Sequence, residues 1–173
     1  MRWSEGKDEA PFIRFQEIIL AEAGVKLSRE TIREIPKRLK QLFKEATFVL
    51  YDDVLPTVET LKQRGLVLGL LTGLPKDIKL TCRKLGIEPY LNFVVTAQEV
   101  GADKPEPPIF LAALERARVN AQEAIYVGDQ YQRDVVGARG VGITPVLIDR
   151  YDLVPEVSDC PRIHGLAELD KYL

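Results

Sequence analysis

The chain has 173 residues, enough for one domain or one domain with a small appendage, and its 46% hydrophobic and 29% charged content is ordinary for a water-soluble globular protein. A net charge of −2 excludes the broad basic surface that nucleic acid or acidic lipid would require, and no apolar run is long enough to cross a bilayer. Two distant cysteines, Cys82 and Cys160, and one histidine, His164, leave little for a disulfide, a His-based zinc site or a Ser-His-Asp triad. The expectation is a cytoplasmic protein with both thiols free, no apolar secretory core at its charged N-terminus, and His164 on the surface or at a cap.

Two helices are expected first. Phe12, Ile13, Phe15, Ile18, Ile19 and Ala23 recur at helical spacing, and Gly24 supplies a stop. Ser28 is a candidate N-cap with Glu30 in the first turn, where the helix dipole favours negative charge. Ile32, Ile35, Leu39, Leu42 and Phe43 mark a second apolar stripe, which Pro36 is expected to kink or divide. Lys37, Arg38, Lys40 and Lys44 make a basic face, either solvated or an anion-binding lip.

From Thr47 onward, apolar runs of strand length alternate with helical segments. The runs are Phe48-Val49-Leu50-Tyr51, residues 66–71, Phe93-Val94-Val95, Ala124-Ile125-Tyr126-Val127 and residues 144–148. Helices are expected at 56–64, 76–85, 108–118 and 133–139, with Gly65, Gly86 and Gly140 at three of their ends. Strands that are apolar throughout and separated by helices imply an α/β fold, a parallel sheet covered on both faces. Such sheets bind ligands at the carboxyl ends of their strands.

Three features fall at those ends. Leu70-Leu71-Thr72-Gly73 offers a hydroxyl and a free backbone N–H to phosphate oxygens. Gly101-Ala102-Asp103-Lys104-Pro105 offers a lysine, a point charge suited to a phosphate or a carboxylate. Gly128-Asp129 followed by Asp134 offers carboxylate oxygens to Mg²⁺, which commonly bridges protein and phosphate. Each alone has a plainer alternative: a turn, a solvated lysine, a helix cap. Together, in this order, they are the equipment of phosphoryl transfer, where positioning and charge neutralisation supply most of the catalysis.

These residues resemble the haloacid dehalogenase-like (HAD) superfamily, in its subgroup with a helical cap. Thr72 is similar to the family's second motif and Lys104 to its third. Gly128-Asp129 and Asp134, with Gly137-Ala138 and Val141-Gly142 downstream, are similar to the fourth in its phosphatase rather than its metal-free dehalogenase form. The resemblance implies a Rossmann-like core over residues 49–173 and a partial helical cap over 1–48. It implies a Mg²⁺ cofactor on Asp129 and Asp134, phosphate binding by Thr72, Gly73 and Lys104, a catalytic role for Lys104, and a small phosphorylated metabolite as substrate.

The family's first motif, an apolar strand ending in Asp-x-Asp that supplies nucleophile and acid/base, has no counterpart in this sequence. Asp52 and Asp53 follow an apolar run but are adjacent, so in a strand they would face opposite sides. They fit a connection into the helix at 56–64 instead. The resemblance places the first strand mid-sheet, between the strands ending at Thr72 and Asp129, so its loss would leave two inner edges unpaired. Three remedies are open: a longer gene product, insertion of residues 47–52, or a strand donated by a partner, with self-association through the open edge a further expectation. The expected function is accordingly a phosphatase ancestry, truncated and inactive as written, or a non-catalytic HAD-like binding domain.

Overall fold

The structure, a computed structural model, describes residues 10–45, 48–74, 78–154 and 157–173. It divides into two compact units, Met1–Thr47 and Phe48–Leu173.

In the first unit, α1 (Ala10–Glu22) packs on α2 (Arg29–Glu45). Gly24 makes the turn between them at φ 74°. Ser28 Oγ accepts the Thr31 N–H at 3.1 Å, which starts α2, and Arg29 Nε reaches Glu17 on α1 at 2.8 Å. Ile32 is buried, whereas Ile18 and Ile19 are exposed. Of the two outcomes expected at Pro36, a kink or a division, the helix is not divided. The proline's missing N–H removes one rung of the ladder, and the turns on either side carry the helix through. The side chains expected in the stripes at 12, 13, 15, 39, 42 and 43, and the basic ones at 40 and 44, lie outside the described residues.

The second unit runs α3 (Val54–Gln63), β1 (Gly69–Thr72), α4 (Ile78–Lys84), β2 (Phe93–Thr96), α5 (Ala97–Val100), α6 (Pro107–Ala117), β3 (Ile125–Gly128), α7 (Val136–Gly140), β4 (Thr144–Ile148) and β5 (Arg162–Ile163). All pairings are parallel: β1 with β2, and β3 with β4, which also pairs with β5. Pro145 is accommodated inside β4 because of its parity. The Thr144 N–H donates to Ala124 on the β3 side and the Leu147 N–H to Pro161 on the β5 side, so position 145 faces β5 before that strand has begun.

Three expectations change. Residues 48–50 form no strand, because Arg150 takes up the segment that follows. Its guanidinium lies 4.0 Å from the Tyr51 ring centroid and grips both Asp53 oxygens at 2.9 and 3.0 Å. The run at 66–71 yields a strand only from Gly69, since Leu68 instead donates its N–H to the Asn92 side chain. The expected helix at 133–139 opens as a π turn, Tyr131–Val135, and Gly142 rather than Gly140 carries positive φ, 87°. The expected start of α4 at 76 lies outside the described residues.

The sheet is in two pieces. Among the described residues nothing pairs with the remaining edge of β1 or of β3. Helices nevertheless hold the halves together. On one face, Ile109, Phe110 and Ala113 of α6 share a core with Leu71, Phe93 and Val95 of one half and with Ala124 and Tyr126 of the other. Ile125 and Val127, at the alternate positions of β3, face a second core with Val146, Ile163 and Leu169. α3 straps across: Lys62 bonds Asn92 beside β2 at 2.8 Å, and Arg64 bonds Asp170 near the C-terminus at 2.8 Å. No helix among the described residues is long and apolar enough to cross a membrane.

Candidate functional site

The carboxyl ends of β1 and β3 come to one corner of the second unit. Thr72 closes β1, and its Oγ1 accepts the Leu74 N–H at 3.0 Å, tying the turn. Gly73 follows, exposed at the surface. A Cβ there would lie 3.0 Å from Asp103 Oδ1 and 3.4 Å from Arg133 Nη2, so a second loop approaches Gly73 closely through the ends of these two side chains.

That second loop carries Lys104. Thr96 ends β2 and caps α5 by accepting the Glu99 N–H at 3.2 Å, and Gly101 turns the chain at φ 79°. The Lys104 amine then donates to Asp134 Oδ1 at 2.7 Å and to the Tyr126 hydroxyl at 3.1 Å. Tyr126 in turn donates to Asp134 Oδ1 at 3.1 Å, and the Gln130 N–H meets Oδ2 at 2.9 Å. Asp134 is 1% exposed, so each of these donors offsets the cost of burying its charge. Burial, and then the Asp134 charge and hydrogen bond, push the Tyr126 hydroxyl far above its ordinary range, so it stays a donor. Gly128 is needed here: a Cβ would sit 2.3 Å from the Asp134 side chain.

A second pair locks the loops together. Arg133 donates to Asp103 Oδ2 at 2.8 Å, while Asp103 Oδ1 accepts the Lys104 backbone N–H at 2.8 Å. Residues 103–104 thus meet residues 133–134 through two parallel ion pairs.

The structure therefore brings Lys104 and Asp134 into contact and sets Gly73, next to Thr72, against the same two loops. Asp129 differs from Asp134. It is exposed and makes no hydrogen bond among the described residues. Its oxygens are the right chemistry for Mg²⁺, which binds one or two carboxylates and keeps several waters. Among the described residues, however, no three acidic, histidine or cysteine side chains group as a metal site. Asp129 alone offers open oxygens to the ion, a partial ligand set; Asp134, also expected as a ligand, has both oxygens engaged by Lys104, Tyr126 and the Gln130 N–H.

Asp52 and Asp53 make no hydrogen bond to Lys104 or Asp134 among the described residues. Asp52 lies in an exposed turn, while Asp53 precedes α3 and joins Arg150 and the Leu166 N–H, the latter at 2.7 Å. His164 is exposed and bonds Asp152 at 2.9 Å, and both cysteines are free thiols. Tyr126, Asp103 and Arg133 carried no assignment in the sequence. A tyrosine in an otherwise apolar strand is one signal, since a buried hydroxyl needs a partner. The Asp103–Arg133 pair has no local signal, being 30 residues apart.

The chain as a whole is similar to known proteins. A family model described as haloacid dehalogenase-like hydrolase matches residues 13–148. A glyceraldehyde 3-phosphate phosphatase of Methanopyrus kandleri is 38% identical over 63% of this chain and 48% of its own length. A phosphoserine phosphatase of Thermus thermophilus is 34% identical over 82% of this chain and 61% of its own. Among solved structures, a HAD phosphatase from Thermococcus onnurineus superimposes with a TM-score of 0.68 at 34% identity, covering 90% of this chain and 69% of that one. The chain thus spans about half to three-fifths of the curated relatives it matches.

Proposed function

Because the chain belongs to the haloacid dehalogenase-like hydrolase family, we propose that it is the phosphate- and metal-binding part of a Mg²⁺-dependent phosphatase of small phosphorylated metabolites, without the carboxylate that would attack phosphorus. The observation that supports it is the meeting of Gly73, Lys104 and Asp134 at the corner where β1 and β3 end. In this reading the Gly73 N–H and the Thr72 hydroxyl hold phosphate oxygens. Lys104 offsets their charge, and Asp134 and Tyr126 aim its amine. Asp129 offers its open carboxylate to Mg²⁺. The ion, when bound, would neutralise charge on the phosphate. The helices of the first unit are read as part of a cap. The names of the relatives, which act on glyceraldehyde 3-phosphate and phosphoserine, support a small phosphorylated ligand.

A non-catalytic binding domain is the second reading. What favours it is that the sequence holds no Asp-x-Asp, and that Asp53 of its adjacent pair has both oxygens engaged by Arg150. Titration with Mg²⁺ and inorganic phosphate, followed by calorimetry, tests the site. Both should bind, and Asp129→Ala should weaken Mg²⁺ at least about tenfold. An unchanged Mg²⁺ affinity in that variant would remove Asp129 from the metal site. Turnover of p-nitrophenyl phosphate by the chain alone should be absent; metal-dependent turnover would overturn both the missing-nucleophile reading and the binding-domain reading.

A further inference from the structure

The turn after β3 departs from regular helix. Tyr131–Val135 is a π turn: the Val136 N–H reaches back to the Tyr131 carbonyl, and α7 continues from it. A π turn takes in one residue more than an α turn and occurs most often at functional sites. One carboxylate spans the segment from its first residue to the last turn of α7. Asp159 Oδ2 accepts the Tyr131 hydroxyl at 2.6 Å and Arg139 Nη1 at 2.7 Å, and the Asp159 carbonyl accepts Arg139 Nη2 at 2.9 Å.

Bridging those two side chains needs the extra residue. Residues 131 and 139 are eight apart, which in a regular α-helix leaves them about 80° apart around the axis. Taking one residue into the wide turn brings them to within about 20°, on one side, where a single carboxylate meets both. Asp159 is itself anchored, because two residues later the Pro161 carbonyl accepts the N–H of the buried Leu147 in β4 at 2.9 Å. The Tyr131 and then the Arg139 hydrogen bonds hold the Asp159 carboxyl below its ordinary range, so it is an acceptor at neutral pH. As an ion pair the contact contributes little, since Arg139 and Asp159 are 43% and 47% exposed. What it fixes is register.

Register matters because this turn carries the aspartates. Asp134 lies within it, held by Lys104, Tyr126 and the Gln130 N–H. Asp129 lies just ahead of it, exposed and without a hydrogen bond among the described residues, so the backbone of residues 129–131 alone sets its direction. We propose that Asp159 is a positioning residue for the metal site: by clamping Tyr131 and Arg139 it holds the π register, and that register aims the open Asp129 carboxylate. Without the clamp the turn closes to the α register, which rotates Asp129 and Gln130 by about 100° relative to α7. The inference rests on Asp129 as the Mg²⁺ ligand proposed above and adds the residue that places it.

The test is calorimetric titration of the full chain with Mg²⁺, in Tyr131→Phe, Asp159→Ala, Asp159→Asn and the control Asp170→Asn, which alters the exposed Arg64–Asp170 pair. Asp159→Ala should weaken Mg²⁺ about tenfold and Tyr131→Phe, which keeps every charge, about threefold. Asp159→Asn, which keeps an acceptor for the Tyr131 hydroxyl, should lose less than Asp159→Ala, and Asp170→Asn should bind as the wild type does. Hydrogen exchange supplies a readout without metal: the Val136 amide should exchange faster in Tyr131→Phe and Asp159→Ala, while the β4 amides keep their protection. Unchanged Mg²⁺ affinity in Tyr131→Phe would overturn the clamp, as would equal losses in Asp159→Ala and Asp159→Asn, which would assign the effect to charge. A lowered thermal midpoint with unchanged Mg²⁺ affinity would leave Asp159 a structural tie and overturn the positioning role; so would an equal loss in Asp170→Asn. A wild-type chain that binds no Mg²⁺ overturns the metal site itself, whereas a wild type that binds and variants that match it overturn this inference alone.

Discussion

Lys104 is where structure and candidate chemistry share one atom. Its side chain is 14% exposed and its amine faces a carboxylate, Asp134, whose side chain is 1% exposed. A buried pair is poor evidence of net stabilisation, but removing one partner strands the other charge and costs about 3–5 kcal/mol. Lys104→Met is therefore expected to lower unfolding free energy by that amount, and combining it with Asp134→Asn should recover much of the loss. Urea denaturation of the two single variants and the double variant measures this. A double variant as unstable as the sum of the singles would mean that the pair is not coupled. The proposed phosphate-binding role of Lys104 and its stabilising role need separate measurements, since its replacement also removes the partner of Asp134 in the loop pair that Gly73 rests against.

At the level of elements, α3 is the strap, and Asp53 fixes its first turn. Burial acts to raise the Asp53 carboxyl, and it is outweighed by the Arg150 hydrogen bonds, the Leu166 N–H and the Arg150 charge, so the group lies below its ordinary range. A carboxyl depressed by folding stabilises above its unfolded value, near about pH 4, and that contribution is lost as pH falls through the folded value. Asp53→Asn should cost roughly 1.5–3 kcal/mol at neutral pH. The gap to the wild type should close below about pH 4. Denaturation midpoints at neutral and acid pH check this, and a gap independent of pH would assign the loss to shape rather than charge. The outer tie, Arg64 to Asp170, is 43% and 67% exposed and contributes little by comparison.

For the whole molecule, the unpaired strand edges set the dynamics. Among the described residues one edge of β1 and one of β3 have no ladder partner, and unpaired backbone groups cost roughly 1–3 kcal/mol each where water cannot reach them. The amides of residues 69–72 and 125–128 are therefore expected to exchange faster in the free chain than those of residues 144–148, which NMR-detected exchange resolves. Uniform protection would mean that these edges are paired in solution. Unpaired strand edges also favour self-association, which sedimentation over a concentration series would reveal.

The elements that could be read without the fold are those governed by local chemistry. β4 appeared over residues 144–148 as expected, because an uninterrupted apolar run after a glycine turn has few alternatives. Thr72, Lys104, Asp129 and Asp134 could be picked out because strand-end position is a property of order along the chain. The run Phe48-Val49-Leu50-Tyr51 has equal strand character and formed none, because a strand exists only against a partner edge and Arg150 took its last residues first. The pairing of Lys104 with Asp134, the Asp103–Arg133 lock and the unpaired edges were likewise decided by tertiary structure. Each depends on side chains or strands far apart in sequence, brought within bonding distance by α6 and α3. The sequence by itself determined which groups stand at the strand ends. Only the packing decided which of them meet, and that among the described residues one edge of β1 and one of β3 stay unpaired.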